Sequence, residues 1–357
     1  MIKYISLLFG FVNLLYFHLS NPSLHIHNIQ DDTLFIKKKI IFYNVENLFH
    51  PSDDPVKNDD DFTPAGIYHW SFKRYHDKLN KLAQVLVSIG EGEKPGIIGL
   101  CEIENRRVLE DLNSKTILKF FGYKIIHQES DDPRGIDVAL LYDPEIFIPE
   151  KYINIPILGD DRKKMLTRGI LKVTGSFYGR YRCHIFVNHW PSRRGGQKAS
   201  EHRRITVSKH LRTQVDLIFK EEKQANILIL GDFNDEPVDK SLNNILHAVD
   251  YEIESNWSCN LYNLMFQHYK RGNGTHYRKN NFIESSVIDQ FIVSRSIIDG
   301  KYGIIIKNDI GEIFKKNFLL NEKNGMPLRT FQGLKYIGGF SDHFPIFIEI
   351  YFKNVDQ

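Results

Sequence analysis

The sequence predicts an α/β fold in which strands buried on both faces alternate with amphipathic helices. Three observations carry the prediction. Aliphatic runs with no polar break, such as N-I-L-I-L at 226–230 and G-I-I-G-L-C at 96–101, have the composition of strands covered on both sides. Leu79, Leu82, Val85, Leu86 and Ile89 recur at helical spacing within 68–89, as a helix packed on a sheet requires. Finally, strand after strand borders a carboxylate, carboxamide or imidazole, so the polar side chains collect at one edge of the sheets.

At 357 residues and a net charge of +3, the chain is long enough for one large domain or two ordinary ones. Its balanced charge excludes nucleic-acid binding by overall basicity, so any basic surface is local. No internal repeat, low-complexity tract or Pro/Gly/Ser-rich linker divides it. Cys101, Cys183 and Cys259 are widely spaced with no C-x-x-C pair, which points away from a thiolate zinc site and a disulfide framework. Residues 1–23, a short basic start followed by an apolar stretch, read as a signal peptide. Export to the periplasm or the medium is expected, or retention by an uncleaved anchor, because 20–23 offers no clean A-x-A site. Residues 24–37 read as a leader and 38–357 as the folded domain.

In order, K-I-I-F-Y-N-V-E-N-L-F from Lys39 is a strand that delivers Asn44, Glu46 and Asn47 near its end. An acidic loop at 51–64 and the helix at 68–89 follow. The next strand ends in Glu102 and Glu104, carboxylates one residue apart that share a side and call for a cation or an arginine. A helix over 107–118 and the strand G-Y-K-I-I-H-Q lead to R-G-I-D-V-A-L-L-Y, opened by Arg134 and Asp137. Strands at 166–173 and 183–188 pair across a glycine-containing turn, and the second runs into His189. Beyond it lie Arg193, Arg194, Lys198, Arg203 and Arg204, either a solvated helix start or a phosphate-facing rim, since a guanidinium makes two-pronged contacts to phosphate. The helix at 205–219 leads to L-G-D-F-N-D, where Gly231 is expected to let the chain turn and Asp232 and Asn234 project together. R-G-N-G-T-H-Y at 271–277 reads as an exposed loop. Asp289, in I-D-Q-F-I-V, would be costly to bury without a cation, histidine or metal beside it. Ser341, Asp342 and His343 precede the last strand.

Carboxylates and carboxamides are hard oxygen ligands suited to Mg2+, Mn2+ or Ca2+, and the lack of a cysteine or clustered-histidine set disfavours zinc. A metal, two histidines and several acids are what phosphoester hydrolysis requires. One group activates water while others neutralise charge and assist the leaving oxygen.

F-Y-N-V-E-N-L-F, G-L-C-E-I-E-N, R-G-I-D-V-A-L-L-Y, V-N-H-W-P-S-R-R-G-G, L-G-D-F-N-D, I-D-Q-F-I-V and S-D-H-F-P-I-F, in this order, resemble the endonuclease/exonuclease/phosphatase superfamily, in the spelling of its bacterial exported branch. The resemblance implies a four-layer αββα sandwich, two mixed sheets packed face to face with helices outside and the active site at one end. It implies Mg2+ or Mn2+ on Glu102, with Asn44 beside it and Asp342 at the metal or a second-metal position. Asp232 and Asn234 would position or deprotonate the attacking water. His343 would touch the scissile phosphate, oriented by Asp289, and His189 would be a second catalytic histidine with Asp137 as its carboxylate partner. Arg168 would contact phosphate, with Arg193 and Arg194 of the basic rim.

The family uses one core for several phosphate esters, so two substrate classes stay open. A nuclease cutting DNA or RNA would use the basic rim on the backbone. A phosphatase or phosphodiesterase acting on a small ester or a lipid head group would close the same arginines around a cup. No stable protein partner is implied, and no membrane span beyond a retained signal.

Overall fold

The computed structural model describes residues 35–251, 261–279, 282–306 and 310–353. The expected signal peptide, most of the leader and Cys259 lie outside them. In chain order the strands are β1 (Phe35–Leu48), β2 (Ile97–Ile103), β3 (Lys124–His127), β4 (Asp137–Tyr142), β5 (Phe147–Ile155), β6 (Ile170–Phe177), β7 (Tyr181–His189), β8 (Ile227–Asp232) and β9 (Ala248–Val249). After these come β10 (Leu261–Asn263), β11 (His276–Lys279), β12 (Ile283–Ser286), β13 (Asp289–Ser294), β14 (Ile304–Ile306), β15 (Glu312–Ile313), β16 (Phe331–Gln332), β17 (Lys335–Tyr336) and β18 (Ile346–Lys353). The long helices are α1 (Phe72–Gly90), α2 (Arg106–Ser114) and α3 (Gln197–Glu221).

One sheet runs β14-β18-β1-β2-β4-β3, with β15 also against β18, and the other runs β5-β6-β7-β8-β13-β10-β9. Both are mixed: β1/β2 and β7/β8 are parallel, while most other neighbours are antiparallel. Along β1 the pleat sends Ile40 and Phe42 into the layer between the sheets, with Leu140, Val187, Leu230 and Phe291. Ile41 and Tyr43 face the other way, against Leu79, Leu82 and Leu86 of α1. On the far sheet Phe186, Ile227 and Ile229 pack against Leu211 and Val215 of α3. The layers are therefore helix, sheet, sheet, helix. Central strands covered on both faces have no polar side to alternate with, which is why they read as unbroken aliphatic runs.

Four local expectations change. Strand pairing starts at Phe35, within the segment read as leader. Helix α3 starts at Gln197 rather than 205, because its first turns bury Ser200, Arg204 and Ser208, and polar residues on the inward face hide the apolar period. The stretch at 271–277 leads into the β11–β12 hairpin rather than forming a loop throughout. Gly231 lies inside β8 and makes no turn; a Cβ there would sit 2.5 Å from the carbonyl oxygen of Asn188 on β7, so its role is close strand approach.

Candidate active site

Strand register builds half of the site. His189 on β7 lies opposite Asp232 on β8, and Asp232 lies opposite Asp289 on β13, so three polar residues form one row across neighbouring strands. In the other sheet the register between β1 and β2 shifts between Asn44 and Leu48, and that between β2 and β4 shifts between Cys101 and Ile103. Leu100 and Ile103 both face the α1 side, which makes Glu102 the extra residue of a bulge. Its backbone, with φ 62°, and those of Glu46 and Asn47, with φ 53° and 54°, are left-handed, a strain that side chains at functional sites often carry.

Asn44 ties the two sheets together. Its Nδ2 donates to Asp232 Oδ2 at 3.0 Å and to Glu102 Oε1 at 3.4 Å, and lies 3.4 Å from His343 Nε2. Its Oδ1 accepts from the Glu46 N–H at 3.0 Å. With that oxygen turned to its own chain, Asn44 presents its amide N–H groups to the acids, beside Glu102. Glu102 Oε2 accepts from the Asn47 N–H at 2.8 Å, and Asp232 Oδ1 from the Asn234 N–H at 2.9 Å.

His343 is held by Asp289, Nδ1 to Oδ2 at 2.7 Å, and Ser341 fastens this loop to β1 by donating to the Asn44 carbonyl at 2.7 Å. Burial opposes a charge on His343, but Asp289 and Asp232 outweigh it and raise its pKa well above the usual imidazole range. Asp232 moves up to about 7, through burial first and the Asp289 charge second. His189 Nε2 lies 3.7 Å from Asp232 and 3.8 Å from Glu102. Burial, then Arg168 and Arg134, push its pKa far down, so one histidine of the pair is a cation and the other neutral.

The expected Asp137–His189 pair does not form. Asp137 Oδ2 lies 2.9 Å from His127 Nε2, and its Oδ1 accepts the Ser130 N–H at 2.9 Å. β3 runs beside β4 in the same sheet, whereas His189 belongs to the other sheet, so Asp137 acts as a buried structural acid, and among the described residues His189 Nδ1 has no hydrogen-bond partner. Asp342 carries Arg329 on Oδ2 at 2.6 Å, which leaves Oδ1 facing His343 Nε2 at 3.9 Å. Burial pushes Asp342 up, but His343 and Arg329 outweigh it and hold its pKa below the usual carboxylate range.

At these groups is a cavity of about 350 Å³ lined by Glu102, His189, Asp232, Asn234 and His343 together with several arginines. Arg168, Arg193 and Arg194 all reach it, as expected. Arg134, Arg278 and His276 join them unannounced by the sequence. Arg168 is fixed by Asp132 at 3.0 Å and the Trp190 carbonyl at 2.7 Å, and among the described residues its Nε has no hydrogen-bond partner. Arg193 is partly committed, donating to the Asn234 carbonyl at 2.6 Å and Asp239 at 2.9 Å. Arg204 leaves the rim altogether: it is 0% exposed and pairs with Asp235 at 2.7 Å. His276 was hidden because T-H-Y-R-K is too short a strand to show a period and its neighbours are glycines and polar residues.

Acids, imidazoles and arginines gathered at the strand ends of a four-layer sandwich define a hydrolase site suited to phosphoesters. The chain belongs to the endonuclease/exonuclease/phosphatase family, whose model matches residues 39–352 and whose members hydrolyse phosphoesters. Among solved structures, TDP2 from Caenorhabditis elegans is similar with a TM-score of 0.53 at 13% identity, over 89% of this chain and 74% of that one. An endonuclease/exonuclease/phosphatase family protein from Bacteroides thetaiotaomicron gives a TM-score of 0.52 at 17% identity, over 90% of this chain and 97% of that one. The human Nocturnin catalytic domain with bound sulfate anion gives 0.52 at 15%, over 89% and 97%. Comparison with curated protein sequences gives no match. At these identities the structural likeness is one of fold.

Proposed function

We propose that this protein is a divalent-metal-dependent phosphoesterase whose substrate is the phosphodiester backbone of DNA or RNA. The observation that carries the reading is the cavity that Asp232, His189 and His343 line together with Arg134, Arg168, Arg193, Arg194 and Arg278. An anion entering it meets guanidinium donors and acid–base groups in one lining. Arg194 in the cavity lining and Lys198 and Arg203 farther along the chain are exposed, basic residues suited to a polyanion. TDP2 from D. rerio, of like fold, was solved complexed with single strand DNA product, which supports a nucleic-acid substrate here.

The donor set fits a hard cation. Burial, then the Asp342 charge, raise the pKa of Glu102, which marks buried negative charge that His343 and Asn44 offset only in part. A divalent ion held by Glu102, with the free oxygen of Asp342 near, would neutralise charge on the phosphate. Asp232, poised near neutrality and held by the Asn234 N–H, accepts a proton from the attacking water. His343, kept cationic by Asp289, donates to the phosphate or the leaving oxygen, and neutral His189 contributes a further hydrogen bond. The reading of 1–23 as an export signal belongs to the same proposal and suits a nuclease acting outside the cytoplasm.

A second reading, hydrolysis of a small phosphate ester, is favoured by the limited volume of the cavity, and a mannosyl-6-phosphatase from Bacteroides thetaiotaomicron shares the fold with a TM-score of 0.51. The test is hydrolysis by the purified chain of plasmid DNA, single-stranded DNA, RNA and a panel of phosphate monoesters, with Mg2+ or with EDTA. Metal-dependent cutting of nucleic acid that is absent in Asp232→Asn and His343→Gln is expected. Phosphate release from small esters alone would move the substrate to the second reading, and no hydrolysis of any ester would overturn the phosphoesterase assignment.

A further inference from the structure

We propose that His276, on the β11–β12 hairpin, is a third imidazole of the active site that hydrogen-bonds the substrate phosphate directly. The inference rests on the phosphoesterase reading and adds a substrate-contacting residue to it. The hairpin looks peripheral, yet its base is locked to both catalytic strands. The Thr275 N–H donates to the Ser286 carbonyl at 2.9 Å, while Thr275 Oγ1 accepts from the N–H groups of Ile288 at 3.2 Å and Asp289 at 3.1 Å. The Thr275 carbonyl accepts the Phe344 N–H at 2.8 Å, and His276 forms an isolated β-bridge with His343. His276 is thus pinned between the residue that orients His343 and His343 itself.

Its ring centroid lies 4.8 Å from that of His343, tilted by 45°, and its side chain lines the cavity beside Arg278. Among the described residues no group hydrogen-bonds its ring nitrogens. A ring nitrogen of His276, one of His343 and a carboxylate oxygen of Asp342 lie within 4.8 Å of one another. Two bonds of about 2.8 Å meeting at roughly 120° span about 4.8 Å, so ring nitrogens no farther apart than that are close enough to bind one oxygen together. A phosphate oxygen seated there would be shared by His276 and His343.

The test compares the parent chain with His276→Ala and His276→Gln. Inorganic phosphate, as a product analogue, is titrated by calorimetry, and kcat and KM are measured on whichever ester the parent hydrolyses. Loss of one hydrogen bond to a charged oxygen should weaken phosphate binding and kcat/KM by roughly ten- to a hundred-fold in His276→Ala. His276→Gln, whose amide can reach the same position, should recover part of both, and the thermal midpoints of all three should agree within a few degrees. Phosphate affinity and kcat/KM within twofold of the parent in His276→Ala would overturn the inference while leaving the phosphoesterase intact. A parent that neither binds phosphate nor cuts any ester would overturn both.

Discussion

Replacing Arg204 with leucine separates a buried brace from a phosphate-facing rim. Arg204 and Asp235 are 0% and 2% exposed, and the guanidinium Nε lies 2.7 Å from Asp235 Oδ1. Arg204 also donates to Ser200 Oγ at 2.9 Å and the Gln197 carbonyl at 3.0 Å, so nothing of it is left for a ligand. In the variant the Asp235 carboxylate keeps the Ser241 hydroxyl at 2.6 Å and the Arg193 guanidinium at 3.6 Å. A buried charge stripped of its main partner costs about 3–5 kcal/mol, a large share of a typical total of about 5–15 kcal/mol. Urea unfolding should therefore show a midpoint far below the parent's with an unchanged slope. Arg204→Leu combined with Asp235→Leu should regain most of the loss, since the orphaned charge is gone. A single variant as stable as the parent that binds nucleic acid more weakly, with a shallower salt dependence, would refute the buried pairing and return Arg204 to the rim.

Asp289→Asn should lower kcat by on the order of 10²- to 10⁴-fold, because it removes the carboxylate that orients and charges His343. Since Asp289 holds the His343 pKa high, its loss should also carry the alkaline limb of the pH–rate profile to lower pH; an unmoved limb would show that His343 is not the titrating acid. Glu104 is raised by burial to about 8, above its unfolded value, so its contribution to stability is present in acid and is lost as pH rises from about 5 to 8. Glu104→Gln should flatten the stability profile over that window by on the order of 1–3 kcal/mol, and parallel profiles would exclude the buried neutral carboxyl. Asp137→Asn should cost roughly 1–3 kcal/mol of stability by weakening the bonds to His127 and Ser130, with kcat almost unchanged. A large kcat loss at parental stability would restore Asp137 to catalysis.

Much of the site was legible because strands and their ends are local in sequence. Asp232, Asn234, Asp289, His343 and Glu102 each border an aliphatic run, and the row His189–Asp232–Asp289 needs only that these runs be adjacent strands. Partner choice was not legible. Asp137 precedes a strand just as Asp289 does, and only the sheet order shows that its neighbour is His127 and not His189. The basic run after His189 could not reveal which of its cations face inward, since Arg204 is buried by the path of α3 and Arg194 is not. The orientation of Asn44 depends on the left-handed turn at Glu46, a conformation no side chain announces.

By itself the sequence determined the layered α/β fold, the family and the edge at which chemistry gathers, because burial on two faces and strand-end polarity are written in the order of residues along each strand. Tertiary structure decided which acid holds which histidine, which arginines remain for a ligand, and that His276 stands beside His343. Those outcomes depend on strand order, register and bulges, which place side chains far apart in the chain within a few ångströms of one another. A one-residue shift in β-structure moves a side chain to the other face, so such contacts exist only once the sheets have packed.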